Sequence, residues 1–157
     1  MKALNLIDFP LDGLSLIEAS AGTGKTYALA NLYLRYLLEK QFTVDQILVV
    51  TFTEAATQEL KDRIRCRIKE LGEVFDGLET EDDVLSTLFQ ASLSKETVNA
   101  DRLRLKIAER QVDQAEIHTI HGFCQQLLRL HALDSRSPLK QNLLEDQKPL
   151  LKQVIED

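Results

Sequence analysis

The sequence predicts an α/β fold in which helices flank a parallel β-sheet. Two short apolar runs, at 14–17 and 46–52, have the length and composition of buried strands. The segment between them carries apolar residues at helical spacing, and a helix that joins two strands normally places them parallel. A glycine-rich turn directly follows the first run, which completes the strand, loop and helix arrangement that cradles phosphate.

The composition is that of a globular chain of one domain's length. The hydrophobic fraction of 44% suffices for a core, and no apolar run approaches the length of a membrane span. Asn5, Asp8 and Pro10 interrupt the apolar start of the chain, so a signal peptide is not expected and the predicted location is cytoplasmic. Cys66 and Cys124 are predicted to be reduced, buried packing residues.

The negative charge is concentrated in one stretch. Six of the 25 acidic residues lie between Glu73 and Asp83, which leaves 19 acids to balance the 19 bases elsewhere. We expect this stretch to form a surface loop. The basic groups at 61–69 and 102–110 are interspersed with acids, which is typical of solvated helix faces.

The other elements follow from apolar spacing and capping residues. A helix is predicted from Thr26 to Lys40, and Thr53 is expected to cap a long second helix that Gly72 ends. The later predictions are a helix opened by a Thr80–Asp83 capping box and running through Leu93, a helix over 96–111, a strand over 115–119, a helix over 122–133, a loop over 134–138 and a helix from Asp146 to the end.

The segment from Ala19 to Thr26 has the pattern of a phosphate-binding loop, with Ala where the strict consensus has Gly. Backbone N–H groups can converge there on phosphate oxygens, helped by the helix that follows. Lys25 is predicted to contact the β and γ phosphates of ATP, and the Thr26 hydroxyl to ligate Mg²⁺. The candidate cofactor-binding residues are Ala19, Ser20, Ala21, Gly22, Thr23, Gly24, Lys25 and Thr26.

Hydrolysis would also need an acidic pair, normally Asp-Glu at the end of an apolar strand. Glu54 follows the apolar run at 46–52, which we assign to a strand other than the one that carries such a pair. The apolar run before Glu145 and Asp146 is too short to be a strand of that kind. No complete catalytic site is therefore expected within the chain. A stand-alone kinase, a small NTPase and a non-catalytic nucleotide-binding module remain alternatives.

Three ordered motifs carry a resemblance to a known family: IEASAGTGKT at 17–26, VVTFTEAA at 49–56 and HTIHGFC at 118–124. They resemble motifs I, Ia and Ib of the superfamily 1 helicases related to UvrD and Rep, and the RecB family in particular. The resemblance covers about residues 9–146. It implies a RecA-like motor domain that uses ATP with Mg²⁺, in a 3′-to-5′ DNA helicase and exonuclease of double-strand break repair and linear DNA degradation, acting with RecC and RecD.

The same resemblance implies contacts with single-stranded DNA from six residues: Thr51, Phe52, Thr53, Arg63, Thr119 and His121. Phe52 would offer a stacking face, while the threonines would meet phosphates. From the residues alone, Phe52 is better explained as a core aromatic, and Arg63 equally well as a solvated charge. His118, His121 and Cys124 could in principle bind zinc, but a fourth ligand is missing.

The chain also departs from the family pattern. Asp12 stands where relatives have an adenine-reading Gln, so the nucleobase preference stays open. The interval at about 72–114 is long and is predicted to be a helical insertion, and about 138–157 would begin a further helical subdomain. The Asp-Glu motif, second motor domain and nuclease domain of the family are not found, so we expect a truncated motor domain whose exposed sheet edge permits self-association.

Overall fold

The computed structural model describes residues 4–18, 22 and 24–130. The chain separates into two compact units, 1–120 and 121–157. In the described residues the helices are α1 (Lys25–Glu39), α2 (Glu54–Phe75), α3 (Asp83–Ser94), α4 (Val98–Gln111) and α5 (Ile120–Leu130), and the strands are β1 (Val49–Thr51) and β2 (Ile117–Thr119). Single 3₁₀ turns lie at Val44–Gln46 and Val112–Gln114. The predicted α/β class is confirmed.

The sheet consists of β1 and β2 running parallel, with Val49 opposite Ile117 and Thr51 opposite Thr119. The helices α2, α3 and α4 form the connection between the two strands. Parallel strands end at the same edge of a sheet. Thr51 and Thr119 therefore lie at the same edge of the sheet.

The core of the first unit lies where α2 packs on α1 and α4. Its most deeply buried side chains come from all three helices and the nearby turns: Leu34, Leu37, Ile64, Ile68, Leu71, Leu105, Val44 and Val112. Burial of each large aliphatic side chain stabilises the fold by about 1.5–3 kcal/mol. The α2 residues of this set follow the predicted apolar stripe.

The predicted strand at 14–17 is not formed. Leu14 and Leu16 are 102% and 82% exposed, and 14–18 has no regular structure. A strand needs a ladder partner, but β1 and β2 pair with each other, and neither pairs with this segment in the described part of the chain. Apolar composition alone was therefore insufficient to predict a strand at 14–17.

The residues before this segment are fixed along α1 instead. The buried Arg35 guanidinium donates hydrogen bonds to the carbonyl oxygens of Leu6 and Phe9, at 2.8 and 2.6 Å. The Tyr36 hydroxyl donates to the Leu11 carbonyl oxygen at 2.9 Å. These contacts place the start of the chain beside the C-terminal half of α1.

The end predicted for the second helix at Gly72 is wrong, because α2 continues to Phe75. The helix stops at Gly77, which has a φ of +105° that side chains disfavour. The Gly77 N–H bonds to the Val74 carbonyl, and the Leu78 N–H to the Glu73 carbonyl. This pair of bonds is a Schellman motif, which satisfies the last carbonyls of α2.

The residue that caps α3 also differs from the prediction. Asp82, rather than Thr80, is the N-cap, and its Oδ1 accepts from the Val84 and Leu85 N–H groups, each at 3.0 Å. Thr80 accepts instead from the Asp82 N–H at 3.1 Å. Thr53 caps α2 as predicted, with its hydroxyl accepting from Ala56 N–H at 3.1 Å.

Both cysteines were predicted to be buried, and both are exposed. Cys66 lies two positions from Ile64 and Ile68, so the 100° helical step turns it away from their buried stripe. Cys124 lies on α5, which has no buried residue over its length. The exposure of a cysteine on a helix is therefore set by the helix face on which it lies, and not by the average tendency of cysteine to be buried.

Several predictions fall on other parts of the chain. The helices at 96–111 and 122–133 are confirmed as α4 and, up to Leu130, as α5. The loop over 134–138, the helix from Asp146 and the subdomain at 138–157 lie outside the described residues. None of the described helices combines the length and apolar character that a membrane span requires.

Candidate nucleotide loop and nucleic-acid interface

Two glycines that precede α1 have left-handed backbone angles. Gly22 and Gly24 have φ values of +77° and +86°, and Gly24 is the N-cap of α1. Apart from each glycine and its chain neighbours, no heavy atom of the described residues lies within 4 Å of the Cβ position that either glycine lacks. The positive end of the α1 dipole lies at Gly24, where it attracts an anion.

The side chains predicted to act on phosphate lie at the start of α1. Lys25 is its first residue and is exposed, while Thr26 follows and is half-buried. An ammonium and a hydroxyl at a helix N-terminus fit a triphosphate with its magnesium ion. The remaining predicted loop residues, Ala19, Ser20, Ala21 and Thr23, lie outside the described residues.

Asp12 does not lie near this turn. Its carboxylate pairs with the Lys40 ammonium at 2.6 Å, at the opposite end of α1. A helix rises about 1.5 Å per residue, so the 15 residues of α1 separate the two ends by roughly 20 Å. Asp12 is therefore not positioned to replace an adenine-reading Gln.

The end of β1 presents an aromatic side chain to solvent. Phe52 is 85% exposed, so the interpretation of this residue as a core aromatic is wrong. The residues on either side are fixed by hydroxyl bonds: Thr51 Oγ1 lies 2.6 Å from Thr57 Oγ1, and Thr53 caps α2. An exposed ring is thus held at the carboxyl edge of the sheet by an ordered turn.

Thr119 reaches the same edge from β2 but in a different way. It is 6% exposed, and its hydroxyl donates to Glu54 Oε1 at 3.1 Å. Glu54 is the first residue of α2, so this bond joins the end of β2 to the start of the helix that follows β1. The structure thereby brings Thr51, Phe52, Thr53 and Thr119 together, with Thr119 bonded to Glu54.

Arg63 lies on α2, nine residues beyond Glu54 and thus about 14 Å along the helix. It is exposed, and it forms no ion pair with any residue that the structure describes. Its neighbours Lys61 and Arg65 both bond to Asp113. Arg65 pairs with the Asp113 carboxylate, whereas the Lys61 ammonium donates to the Asp113 carbonyl oxygen, so Arg63 is an exposed arginine whose charge no described carboxylate neutralises.

The two histidines of the possible zinc set, His118 and His121, belong to different units of the chain. His118 Nε2 lies 2.6 Å from Glu116 Oε2, and no group of three or more His, Cys, Asp or Glu side chains is placed to hold a metal ion in the described residues. His121 belongs to the second unit, where it is exposed on α5.

A polar cluster centred on the buried Arg67 and Asn31, which the sequence did not reveal, lies beside the first turn of α1. The Arg67 cluster consists of Tyr27, Asn31, Arg67, Glu70 and Asp82. Burial opposes ionisation of Asp82, but hydrogen bonds from Arg67, the Leu85 N–H and Tyr27 more than offset it and lower its pKa. The sequence contained one indication that Arg67 is buried, since its spacing places it on the same face of α2 as Leu60, Ile64 and Leu71.

Comparison with known proteins agrees with the motifs. The UvrD/REP helicase N-terminal domain model matches residues 2–157. The RecBCD enzyme subunit RecB of Escherichia coli (strain K12) is 44% identical over 164 residues, covering 99% of this chain and 14% of that protein. The RecB subunits of Haemophilus influenzae and Mycobacterium tuberculosis (strain H37Rv) are 42% and 34% identical, over 94% and 91% of the chain and 13% of each protein.

These relatives are far longer than the sequence they match, since the chain spans about one seventh of their length. The motif resemblance to RecB-type helicases is nevertheless confirmed over nearly the whole chain. The chain therefore belongs to the UvrD/REP helicase N-terminal domain family.

Proposed function

We propose that this chain is the nucleotide-binding part of the first RecA-like motor domain of a RecB-type DNA helicase. The family match and the parallel strands joined through helices support this assignment. A RecA-like domain would have more parallel strands beside β1 and β2 than the two that the described residues form.

Mg²⁺-ATP is the proposed ligand of the loop Ala19–Thr26. The N–H groups around Gly22 and Gly24 would bind the phosphates, Lys25 would neutralise the β and γ charges, and Thr26 would ligate the metal. ATP, when bound, supplies the free energy that drives movement along DNA. Because the sequence shows no Asp-Glu pair after an apolar strand, we expect the 157 residues alone to bind nucleotide weakly and hydrolyse it negligibly.

Single-stranded DNA is the proposed ligand of the carboxyl edge. The observation that carries this proposal is the 85% exposure of Phe52 between two hydroxyl-fixed threonines. An exposed ring of this kind offers a platform on which a base can stack, while Thr51, Thr53 and nearby N–H groups meet phosphates. Thr119 would act through Glu54, whereas Arg63 and His121 are proposed as further phosphate contacts.

The activity of the longer relatives is proposed only for a complete protein. A RecB-type product would be a 3′-to-5′ helicase and exonuclease subunit that processes double-stranded DNA ends in break repair and linear DNA degradation in the cytoplasm. Its partners would be RecC and RecD, since the relatives are named as subunits of RecBCD. A kinase or a regulatory nucleotide-binding module would not need the exposed Phe52. For the chain alone, self-association is proposed through the edge of β1 that pairs with no strand in the described residues. The exposed Leu48 and Val50, at 46% and 41%, would add apolar contact beside it.

Replacement of the aromatic ring tests the DNA assignment. We predict that Phe52→Ala weakens binding of a single-stranded oligonucleotide to the complete gene product by ~1–3 kcal/mol, about 5- to 150-fold in Kd. Fluorescence anisotropy at one fixed salt concentration measures this change. Phe42→Ala is the matched control, because Phe42 is 39% exposed but stacks on Tyr36 beyond the far end of α1. Equal losses for the two variants would refute the assignment of the edge.

A further inference from the structure

The Arg67 cluster joins α1, α2 and the start of α3 through one buried charge. Arg67 is 5% exposed, and its Nε and Nη2 donate to Asn31 Oδ1 at 3.1 and 2.5 Å. Its Nη1 donates to Glu70 at 2.9 Å and to Asp82 at 3.0 Å. The Tyr27 ring lies 5.0 Å from the guanidinium carbon, within cation–π range. A buried guanidinium with this many partners is strongly fixed in position.

The two carboxylate oxygens of Asp82 accept hydrogen bonds from different elements. Oδ1 caps α3 through the Val84 and Leu85 N–H groups. Oδ2 accepts from the Tyr27 hydroxyl at 3.0 Å and from Arg67. The acidic connection between α2 and α3 is therefore attached to the first turn of α1.

Tyr27 is held at both of its polar groups. Its hydroxyl bonds to Asp82, and its carbonyl oxygen accepts from Asn31 Nδ2 at 2.9 Å. Tyr27 directly follows Lys25 and Thr26, the two side chains proposed to act on Mg²⁺-ATP. Any movement of the first turn of α1 would thus have to break bonds to the cluster.

We propose that the Arg67 cluster positions the first turn of α1, with Tyr27 and Asp82 as positioning residues that keep Lys25 and Thr26 in a binding-competent place before nucleotide arrives. The inference rests on the proposed binding of Mg²⁺-ATP at this loop. A turn that is already ordered loses little conformational freedom when nucleotide binds. If the turn is loosened, only a fraction of the molecules is competent to bind, and the apparent affinity falls in proportion to that fraction. The cluster thereby also connects the 72–114 region to the nucleotide site.

The test is Tyr27→Phe in the complete gene product, since it removes one hydroxyl and keeps the ring over Arg67. We expect faster amide hydrogen exchange in the first turns of α1 without nucleotide, and Mg²⁺-ATP affinity lower by about 3- to 10-fold, the range for one lost hydrogen bond. The loss should shrink when ATP is titrated in EDTA, because the Thr26 contribution needs the metal. Asp82→Asn should act in the same direction, since Asn still caps α3.

Asp101→Asn is the matched control. Asp101 is also a buried carboxylate at a helix junction, where it accepts from Ser92 and Thr97 and pairs with Arg104. This variant should leave Mg²⁺-ATP affinity and α1 exchange unchanged at a temperature where it is folded. Equal losses in Asp101→Asn and Tyr27→Phe would overturn the positioning role, because they would report only general destabilisation.

The outcomes separate this inference from the proposed function. Wild-type protein that fails to bind Mg²⁺-ATP, or a Lys25→Ala variant that binds it normally, would overturn the proposed function and the inference with it. Loss of binding in Lys25→Ala, with unchanged exchange and affinity in both Tyr27→Phe and Asp82→Asn, would overturn the positioning role alone.

Discussion

Two glycines near the end of α2 occupy positions with opposite conformational demands. Gly77 has a φ of +105° and closes the Schellman motif, whereas Gly72 lies inside the helix with no heavy atom within 4 Å of an added Cβ. We predict that Gly77→Ala lowers the free energy of unfolding by ~1–2 kcal/mol because alanine resists the left-handed backbone. Gly72→Ala should raise it by roughly 0.5–1 kcal/mol, since alanine is the better helix former.

Urea unfolding of the two alanine variants, measured beside the wild type, checks both signs. Each variant serves as the control for the other, because the same atoms are added in both. If Gly72 ended the helix, as its position in the sequence suggested, the effects would be reversed.

Other single residues show what the sequence could and could not tell. Capping by Thr53 was predictable because the signal is local. The exposure of Phe52 and the burial of Thr119 were not, since both depend on how two strands distant in sequence meet. The direct DNA contact expected of Thr119 stays a prediction, and from its bond to Glu54 we propose that it also supports the edge.

At the scale of the elements, the helices were more predictable than the strands. The starts of α1, α2 and α4 lie within about two residues of their predicted positions. Apolar periodicity and capping depend only on residues close together in the sequence, so they can be recognised without knowing the fold. The run at 14–17 has the composition of a strand, yet composition does not supply a partner strand. Strand pairing is a non-local property, so it could not be read from the run itself.

The Arg67 cluster belongs to the same scale, since it exists only where three elements meet. Five basic residues lie between 61 and 69, and their spacing does not state which one finds buried partners. Arg67 is on the apolar stripe, while Asn31 and Asp82 come from elsewhere in the chain. The sequence could therefore suggest an unusual arginine but not the bonds to the nucleotide-binding helix.

On the scale of the whole molecule, the two-stranded sheet leaves strand edges unpaired within the described residues. Unpaired edges pair readily with other chains. We predict that the 157-residue chain forms dimers at high concentration in multi-angle light scattering, and that Val50→Lys shifts it toward monomer by placing a charge beside the β1 edge. A wild-type chain that stays strictly monomeric at every concentration would count against this proposal.

We propose that one small unit holds two separable sites, a phosphate loop before α1 and a DNA-binding edge at the ends of β1 and β2. The loop carries Lys25 at the start of α1, while Phe52 extends from the turn that follows β1. Each side chain serves one ligand in this account. Substitution of one should therefore leave the other ligand's binding intact.

The most direct measurement is a paired titration of the complete gene product with Mg²⁺-ATP and with single-stranded DNA, in wild type, Lys25→Ala and Phe52→Ala. We predict that Lys25→Ala weakens ATP binding without altering DNA binding in the absence of nucleotide, and that Phe52→Ala does the reverse. If both substitutions weaken ATP binding and leave DNA binding unchanged, the edge is not a DNA site and the account is contradicted.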